Sequence, residues 1–316
     1  VVALKKQEVT RDDISRAVES ARTLAVIPHE RRILHVLPRE FMVDDQEGVR
    51  EPLGMSGNRL EVNVHVITGA VTSAQNIIKS VNRAGLDVVD IILQPLASSE
   101  AVLSAEEREL GVAMVDLGGG TTDLAIFLDG SIRHTAVLPI GGQNLTKDLA
   151  IGLLTSQTDA EKIKVQHGIA RTELVHGHQM VEVPSVGDRP PRQFTRRDIA
   201  EILEPRVEEM FDLVKREIVR AGYEGMLGAG VVITGGTSLL EGMPDAAERG
   251  LNLPARRGMP TGIGGLRDIV SNPPDDVCDV ALLLKSVPCL DQQDPATAAR
   301  ILRAIMIHVV QRAFRC

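Results

Sequence analysis

Residues 112–127 read VAMVDLGGGTTDLAIF, two short apolar runs rich in Val, Ile, Leu and Phe on either side of three consecutive glycines. Runs of this length and composition suit buried strands. Gly118, Gly119 and Gly120 between them make a tight turn whose backbone N–H groups no Cβ screens. Polar residues bracket the turn, with Asp116 ahead of it and Thr121, Thr122 and Asp123 behind it. Glycines punctuate turns everywhere, so a plain hairpin is one reading. The polar flanks favour another, a loop whose amides cradle a phosphate. In that reading Thr121 and Thr122 donate hydroxyl hydrogens to phosphate oxygens, Asp116 holds a water on Mg²⁺, and Asp123 orients water or metal.

Val231-Val232-Ile233-Thr234-Gly235-Gly236-Thr237-Ser238 repeats the logic. A buried strand runs into paired glycines, and Ser238 with Glu241 has the S-x-x-E spacing of a capping box at a helix start. A helix N-terminus preceded by bare glycines is a seat for a ribose or phosphate. Two such turns, so far apart in sequence, are expected to come from two matching half-domains that face one cleft.

Composition narrows the class. With 316 residues the chain has room for two domains. It is 43% hydrophobic and 25% charged, as globular chains are. A formal charge of −8, five Phe, one Tyr and no Trp argue against nucleic-acid binding, which needs cations and ring faces. Cys278, Cys289 and Cys316 lack C-x-x-C spacing, so neither a disulfide framework nor a zinc site is expected and a reducing cytoplasm fits. No apolar run reaches the roughly 18 residues of a membrane span, and no signal peptide is visible. The first residue is Val, and the chain is read as lacking its true N-terminus.

Along the chain, Thr10 with Asp13 starts a helix, and Ile33–Leu37, Glu40–Val43 and Leu60–Thr68 read as strands. A helix from about Ser73 to Ala84 leads to a strand at Val88–Leu93, then a helix over 94–108. A β-meander spans 112–140, a helix follows near 144–154, and the helix carrying Glu161 and Lys164 runs to about Ala170. Residues 182–192 are Pro-rich and irregular; Thr195 with Asp198 starts a helix that Pro205 is expected to kink or break. The alternation of strands and helices indicates an α/β architecture.

At this point the motifs carry a resemblance. DLGGGTTD resembles the second phosphate motif of the actin, Hsp70 and sugar-kinase ATPase superfamily, and VVITGGTS its adenosine motif. Asp159-Ala160-Glu161-Lys162-Ile163-Lys164 resembles the A-E-x-I-K segment that flanks adenine, and Gln94-Pro95-Leu96-Ala97 the connector whose Gln or Glu places the attacking water. Residues 46–57 (QEGVREPLGMSG), 132–140 (IRHTAVLPI) and 183–192 (VPSVGDRPPR) narrow this to the bacterial actin-like cell-division family FtsA, over roughly residues 1–273.

The resemblance implies an actin-like, ribonuclease H-like ATPase fold with an incomplete first domain and an inserted small α+β subdomain. Residues 1–69 would be that insert, subdomain 1C, which recruits other division proteins. Residues 70–108 would be the remainder of subdomain 1A and the first connector, 109–158 with 225–273 the nucleotide-binding core 2A, and 159–224 subdomain 2B, which binds the C-terminal tail of the tubulin-like protein FtsZ. It implies ATP and Mg²⁺ as cofactors, held by Gly118, Gly119, Gly120, Thr121, Thr122, Asp123, Glu161, Lys164, Gly235, Gly236, Thr237 and Ser238, with Gln94 positioning water and Asp116 a magnesium-bound water. It further implies self-association into actin-like filaments on the cytoplasmic face of the membrane at the division site. An amide does not titrate, so Gln94 orients a water without acting as base, and at most a slow ATPase is expected.

Glu161 and Lys164, three apart, also read as a surface ion pair. His176 and His178 have no carboxylate or Cys ligand nearby, so no metal site is expected there. Arg189, Arg192, Arg196, Arg197 and Arg206 form a basic cluster nearly balanced by Asp188, Asp198, Glu201 and Glu204, either a solvated face or a seat for an acidic peptide. Residues 298–314 read either as a basic amphipathic helix for an anionic membrane surface or as a chance product of an altered reading frame, since residues 274–316 diverge from the family pattern. The superfamily's first phosphate loop has no match in residues 1–69. A sugar-kinase-like or Hsp70-like ATPase of the same superfamily, or a fragment without nucleotide-binding activity, is the competing reading.

Overall fold

The computed structural model describes residues 1–4, 7–85, 87–88, 90–187 and 189–260, so the tail at 274–316 and Asp188 lie outside the described residues. Their contacts divide into two units, Val1–Leu93 with Ser131–Arg133, and Gln94–Gly130 with the residues from His134 onward.

The first unit contains β1 (Val2–Ala3), α1 (Arg11–Leu24), β2 (Arg31–Val43), β3 (Gln46–Val49), β4 (Arg59–Ala70) and α2 (Val71–Arg83). The strands form one antiparallel sheet in the order β1-β4-β2-β3. Helix α1 starts where its cap dictates: Thr10 N–H donates to Asp13 Oδ2 at 3.0 Å and Asp13 N–H to Thr10 Oγ1 at 3.3 Å. Ala17 and Ile14 then pack on Leu60, Phe41 and Val43 of the sheet. The two strands expected at 33–37 and 40–43 are one strand, paired with β4 from Arg31 opposite Ala70 to Val43 opposite Leu60. Irregularities between Ile33 and His35 and between Pro38 and Glu40 absorb the interruption, and Pro38, which has no N–H for the ladder, sits at the second. The strand expected up to Leu93 is absent over 90–93, where the N–H of Leu93 donates to His35 Nε2 at 3.0 Å and that of Ile91 to Asp90 Oδ1 at 2.7 Å.

The second unit contains α3 (Gln94–Val102), α4 (Ala105–Leu110), β5 (Val112–Leu117), β6 (Thr122–Leu128), β7 (Ser131–Leu138, from His134 on in this unit), α5 (Gly142–Gly152), α6 (Gln157–His167), β8 (Met180–Val183), β9 (Arg192–Thr195), α7 (Arg196–Arg220), β10 (Val231–Thr234), α8 (Met243–Leu251) and β11 (Ala255–Arg257). Its main sheet has the order β11-β10-β5-β6-β7, and β8 and β9 pair separately. Every residue of β5 and β10 is buried, because helices cover both faces of the sheet. Ala113, Val115 and Leu117 join the core built with Leu145 and Leu149 of α5, Met210 and Phe211 of α7 and Ala247 of α8. By strand alternation Val112, Met114 and Asp116 turn to the opposite face, against which α3 packs.

Three boundaries differ from expectation. The helix over 94–108 breaks at Ser104, which caps α4 with Glu107 in a reciprocal pair. The helix carrying Glu161 ends at His167, and Ile169 instead bridges to Glu241. Pro205 does not break α7, which runs unbroken for 25 residues. Pro205 and Glu201, whose carbonyl loses its i+4 donor, are both exposed, so water can serve that carbonyl. Leu203, Val207, Met210 and Phe211, all buried, hold the helix on both sides of the proline.

Candidate functional site

Strands β5 and β10 are parallel neighbours, with Asp116 opposite Thr234. Their carboxyl ends therefore release both glycine turns side by side. This corrects the expectation that the turns come from two half-domains: both belong to one unit and one sheet. Thr237 Oγ1 donates to the Gly118 carbonyl at 3.0 Å, tying one turn to the other. The start of α5 closes the arrangement, since Gly142 N–H donates to the same carbonyl at 2.9 Å and Gln143 N–H to that of Gly119 at 2.8 Å.

The glycines do different jobs. Gly235 has φ +83°, and a Cβ there would lie 2.4 Å from Asp116 Oδ1 and 2.7 Å from the Leu117 carbonyl. A Cβ on Gly142 would meet Thr237 Oγ1 at 2.4 Å. Gly119 and Gly120 are exposed, and nothing lies within 4 Å of a Cβ added to either, so their open side can receive a group as large as a phosphate.

The site's polar side chains divide in the same way. Thr122 Oγ1, fully buried, donates its one hydrogen to the Ile140 carbonyl at 2.8 Å, so it ties β6 down and has none to offer a phosphate. Ser238 Oγ donates to the Gly235 carbonyl at 2.7 Å. It caps no helix: a 3-10 turn covers Gly236–Leu239, and α8 starts at Met243 with Gly242 as its cap. Glu241, the expected capping partner, pairs with Arg196. Thr121 is half-buried at the mouth of the loop.

Asp116 and Asp123 face each other across the antiparallel β5–β6 pair, 3% and 6% exposed. Like charges at opposed positions of a buried sheet repel, and a cation beside them offsets that repulsion. Thr234, opposite Asp116 on the same face, has a buried Oγ1 with no hydrogen-bond partner. No cluster of three or more His, Cys, Asp or Glu that could hold a metal occurs among the described residues. Two carboxylates, an orphan hydroxyl and an open glycine loop fit Mg²⁺, which keeps several waters and takes the rest of its oxygens from phosphate.

Lys164 and Glu161 reach the same place from α6. Lys164 Nζ donates to the Gly142 carbonyl at 3.1 Å, Thr146 Oγ1 at 3.0 Å and Glu161 Oε2 at 2.8 Å. These three bonds use all of the ammonium's hydrogens, and the Lys164 side chain is only 12% exposed. Lys164 thus anchors the start of α5, while Glu161, 50% exposed, stays open to a ligand. The pair is more than a surface ion pair, because its third partner is the backbone that touches both glycine turns.

Sequence reasoning missed Ser98, Thr146 and Asn144, and placed Thr234 in the second turn without a role of its own. Ser98 stands one helical turn after Gln94 and donates to Asp116 Oδ2 at 2.8 Å, beside Gln94 Nε2 at 3.1 Å. Asn144 Oδ1 accepts from Gly141 N–H at 3.1 Å and so caps the start of α5 from the third helical position.

The basic cluster of residues 189–206 is largely engaged within the chain. Arg196 pairs with Glu241, Arg197 with Glu201 at 3.2 Å, and Arg206 with Asp148 at 2.6 Å and with Glu209. Arg192 donates to the Leu153 carbonyl. Among the described residues no helix is long and apolar enough to cross a membrane.

Comparison with known proteins decides the family. The family model for the cell division protein FtsA matches residues 113–274, and the model for the SHS2 domain inserted in FtsA matches residues 1–68. The chain belongs to the FtsA family. The FtsA cell division protein of Pseudomonas aeruginosa is 51% identical over 273 residues, covering 86% of this chain and 65% of the relative. That of Escherichia coli K12 is 43% identical over 280 residues, covering 86% and 66%. The chain thus spans about two-thirds of the length of the curated relatives it matches. Among solved structures, the PilM–PilN type IV pilus biogenesis complex aligns with a TM-score of 0.60 at 15% identity, over 90% of this chain and 74% of that one. MreB5 of Spiroplasma citri bound to ADP aligns with a TM-score of 0.53 at 18% identity, over 72% and 69%. The fold is actin-like, with an SHS2 unit at residues 1–68.

Proposed function

We propose that this chain is part of an actin-like division scaffold that binds ATP with Mg²⁺ at the paired glycine turns and helps tether the FtsZ ring to the cytoplasmic membrane. One observation carries the nucleotide reading: the Gly118 and Thr237 turns lie side by side at the ends of adjacent parallel strands, hydrogen-bonded to each other, with Gly119 and Gly120 open in front. Ligands of open α/β sheets sit at strand carboxyl ends of this kind. The similar protein MreB5 was crystallised bound to ADP and to AMPPNP.

The loop of Gly118–Gly120 with Thr121 receives the phosphates, and Gly235–Thr237 with Glu161 the nucleoside. Asp116 and Asp123 would hold a bound magnesium through its waters, and the ion would supply neutralisation of phosphate charge. Gln94 orients a water, and turnover is slow because its amide does not titrate and cannot act as the base. Residues 1–69 recruit later division proteins, 159–224 take the FtsZ tail, and copies of the chain associate into filaments. The membrane contact expected of 298–314 falls outside the described residues.

Titration with a fluorescent ATP analogue and with a peptide of the FtsZ tail tests this. Saturable binding of each is the expected result. Binding of neither at micromolar protein, by a chain that melts cooperatively, would favour the reading of a fragment without nucleotide-binding activity.

A further inference from the structure

Asp116 Oδ2 accepts two hydrogen bonds from one face of α3, from Ser98 Oγ at 2.8 Å and Gln94 Nε2 at 3.1 Å. The donors stand four residues apart, so a single helical turn aims both at one oxygen. Ser98 is fully buried and Asp116 is 3% exposed. Water therefore does not compete for the Ser98 bond, and the low dielectric strengthens it, while the Gln94 bond is only part-buried.

The arrangement fixes the direction of Gln94. A carboxylate only accepts, so it must face the NH₂ end of the amide, and Oε1 is turned the other way. That carbonyl is the end that takes a hydrogen from water. Gln94 does not titrate, so orientation is its whole contribution. Ser98 has one hydroxyl hydrogen and gives it to Asp116, which keeps the carboxylate in the rotamer that holds the amide.

Resting on the nucleotide reading above, we infer that Ser98 is a positioning residue for ATP hydrolysis: its hydroxyl fixes Asp116, Asp116 fixes the Gln94 amide, and Gln94 presents Oε1 to the attacking water. In that step the water oxygen bonds to the γ-phosphorus as the bond to the diphosphate oxygen breaks. The products are ADP and inorganic phosphate, and the water's proton leaves with phosphate or solvent. Ser98 touches neither water nor nucleotide.

The test compares the full chain with its Ser98→Ala, Ser98→Cys and Ser98→Thr variants, measuring fluorescent ATP-analogue binding and single-turnover hydrolysis with Mg²⁺. Ala and Cys, lacking a strong donor, should bind within about twofold of the parent and hydrolyse about tenfold more slowly. Thr, which keeps the hydroxyl, should recover most of the rate. Unchanged hydrolysis in the Ala and Cys variants overturns the inference. So does a rate that falls only in step with affinity and melting temperature, since that is what a packing defect gives. A parent chain that binds nucleotide without hydrolysing it overturns the inference and leaves binding standing. A parent chain that does not bind overturns both.

Discussion

Thr237 Oγ1 lies 3.0 Å from the carbonyl oxygen of Gly118, 119 residues earlier in the chain, and this bond joins the two glycine turns. Replacing Thr237 with Val keeps the shape and removes the donor. The expected cost is about 1 kcal/mol of stability with a several-fold loss of nucleotide affinity, read by denaturant melts and titration in parallel. Equal affinity in the Val variant would mean that the tie does not shape the site.

The glycines should separate cleanly. Gly235→Ala places a methyl against Asp116 Oδ1 and Leu117 O at a left-handed φ, and a loss of about 2–4 kcal/mol is expected from strain and clash together. Gly119→Ala meets nothing in the protein and should shift stability by less than about 0.5 kcal/mol, yet it should weaken ATP binding because the methyl stands in the open side of the loop. Thermal melts with and without ATP distinguish the two behaviours.

Pro205 is exposed inside α7 and leaves the Glu201 carbonyl without a helical donor. Pro205→Ala restores that bond and should stabilise the unit by about 1 kcal/mol or more. A destabilised Ala variant would show that the proline shapes the helix and is not merely tolerated.

Glu217 Oε1 accepts from Arg220 at 2.6 Å and lies 2.7 Å from His134 Nε2. The Arg220 guanidinium first, then the His134 contact, hold its carboxyl below the ordinary value. The sign follows from linkage. A depressed folded-state pKa contributes stability above the unfolded value near 4.5, and that contribution is lost as pH falls below it through the folded pKa. Glu217→Gln should therefore be less stable than the parent by about 1–3 kcal/mol at pH 7, with the gap closing as the pH falls below the ordinary carboxylate value near 4.5. A gap that stays constant across that range in denaturant melts would contradict the linkage.

Much of the fold was legible where local chemistry and tertiary packing agree. The capping pairs Thr10–Asp13 and Thr195–Asp198 start α1 and α7 as their spacing says, and the apolar runs around Gly118–Gly120 are the β5–β6 pair. Local rules failed where a distant partner decides. Ser238 has capping-box spacing, but its hydroxyl closes the Gly235 turn, and Glu241 is drawn to Arg196. Pro205 should break a helix by its own chemistry, and the buried flanks of α7 override it. In the site, residue types were readable and roles were not. Thr121 and Thr122 look alike in sequence, yet Thr122 is spent on the Ile140 carbonyl. Lys164 looks like a ligand contact, yet its three hydrogens are used within the protein. Ser98 carries no motif, and only the approach of α3 to the end of β5 gives it a partner.

The central claim is that the joined turns seat a magnesium nucleotide, and a thermal melt of the chain in ATP tests it most directly. At ATP one-hundredfold above its dissociation constant with Mg²⁺ present, the second unit should gain about 2.7 kcal/mol, a rise of roughly 5–11 °C, and chelating the magnesium should remove most of it. A melting temperature that does not move in millimolar ATP, with or without Mg²⁺, would contradict the account.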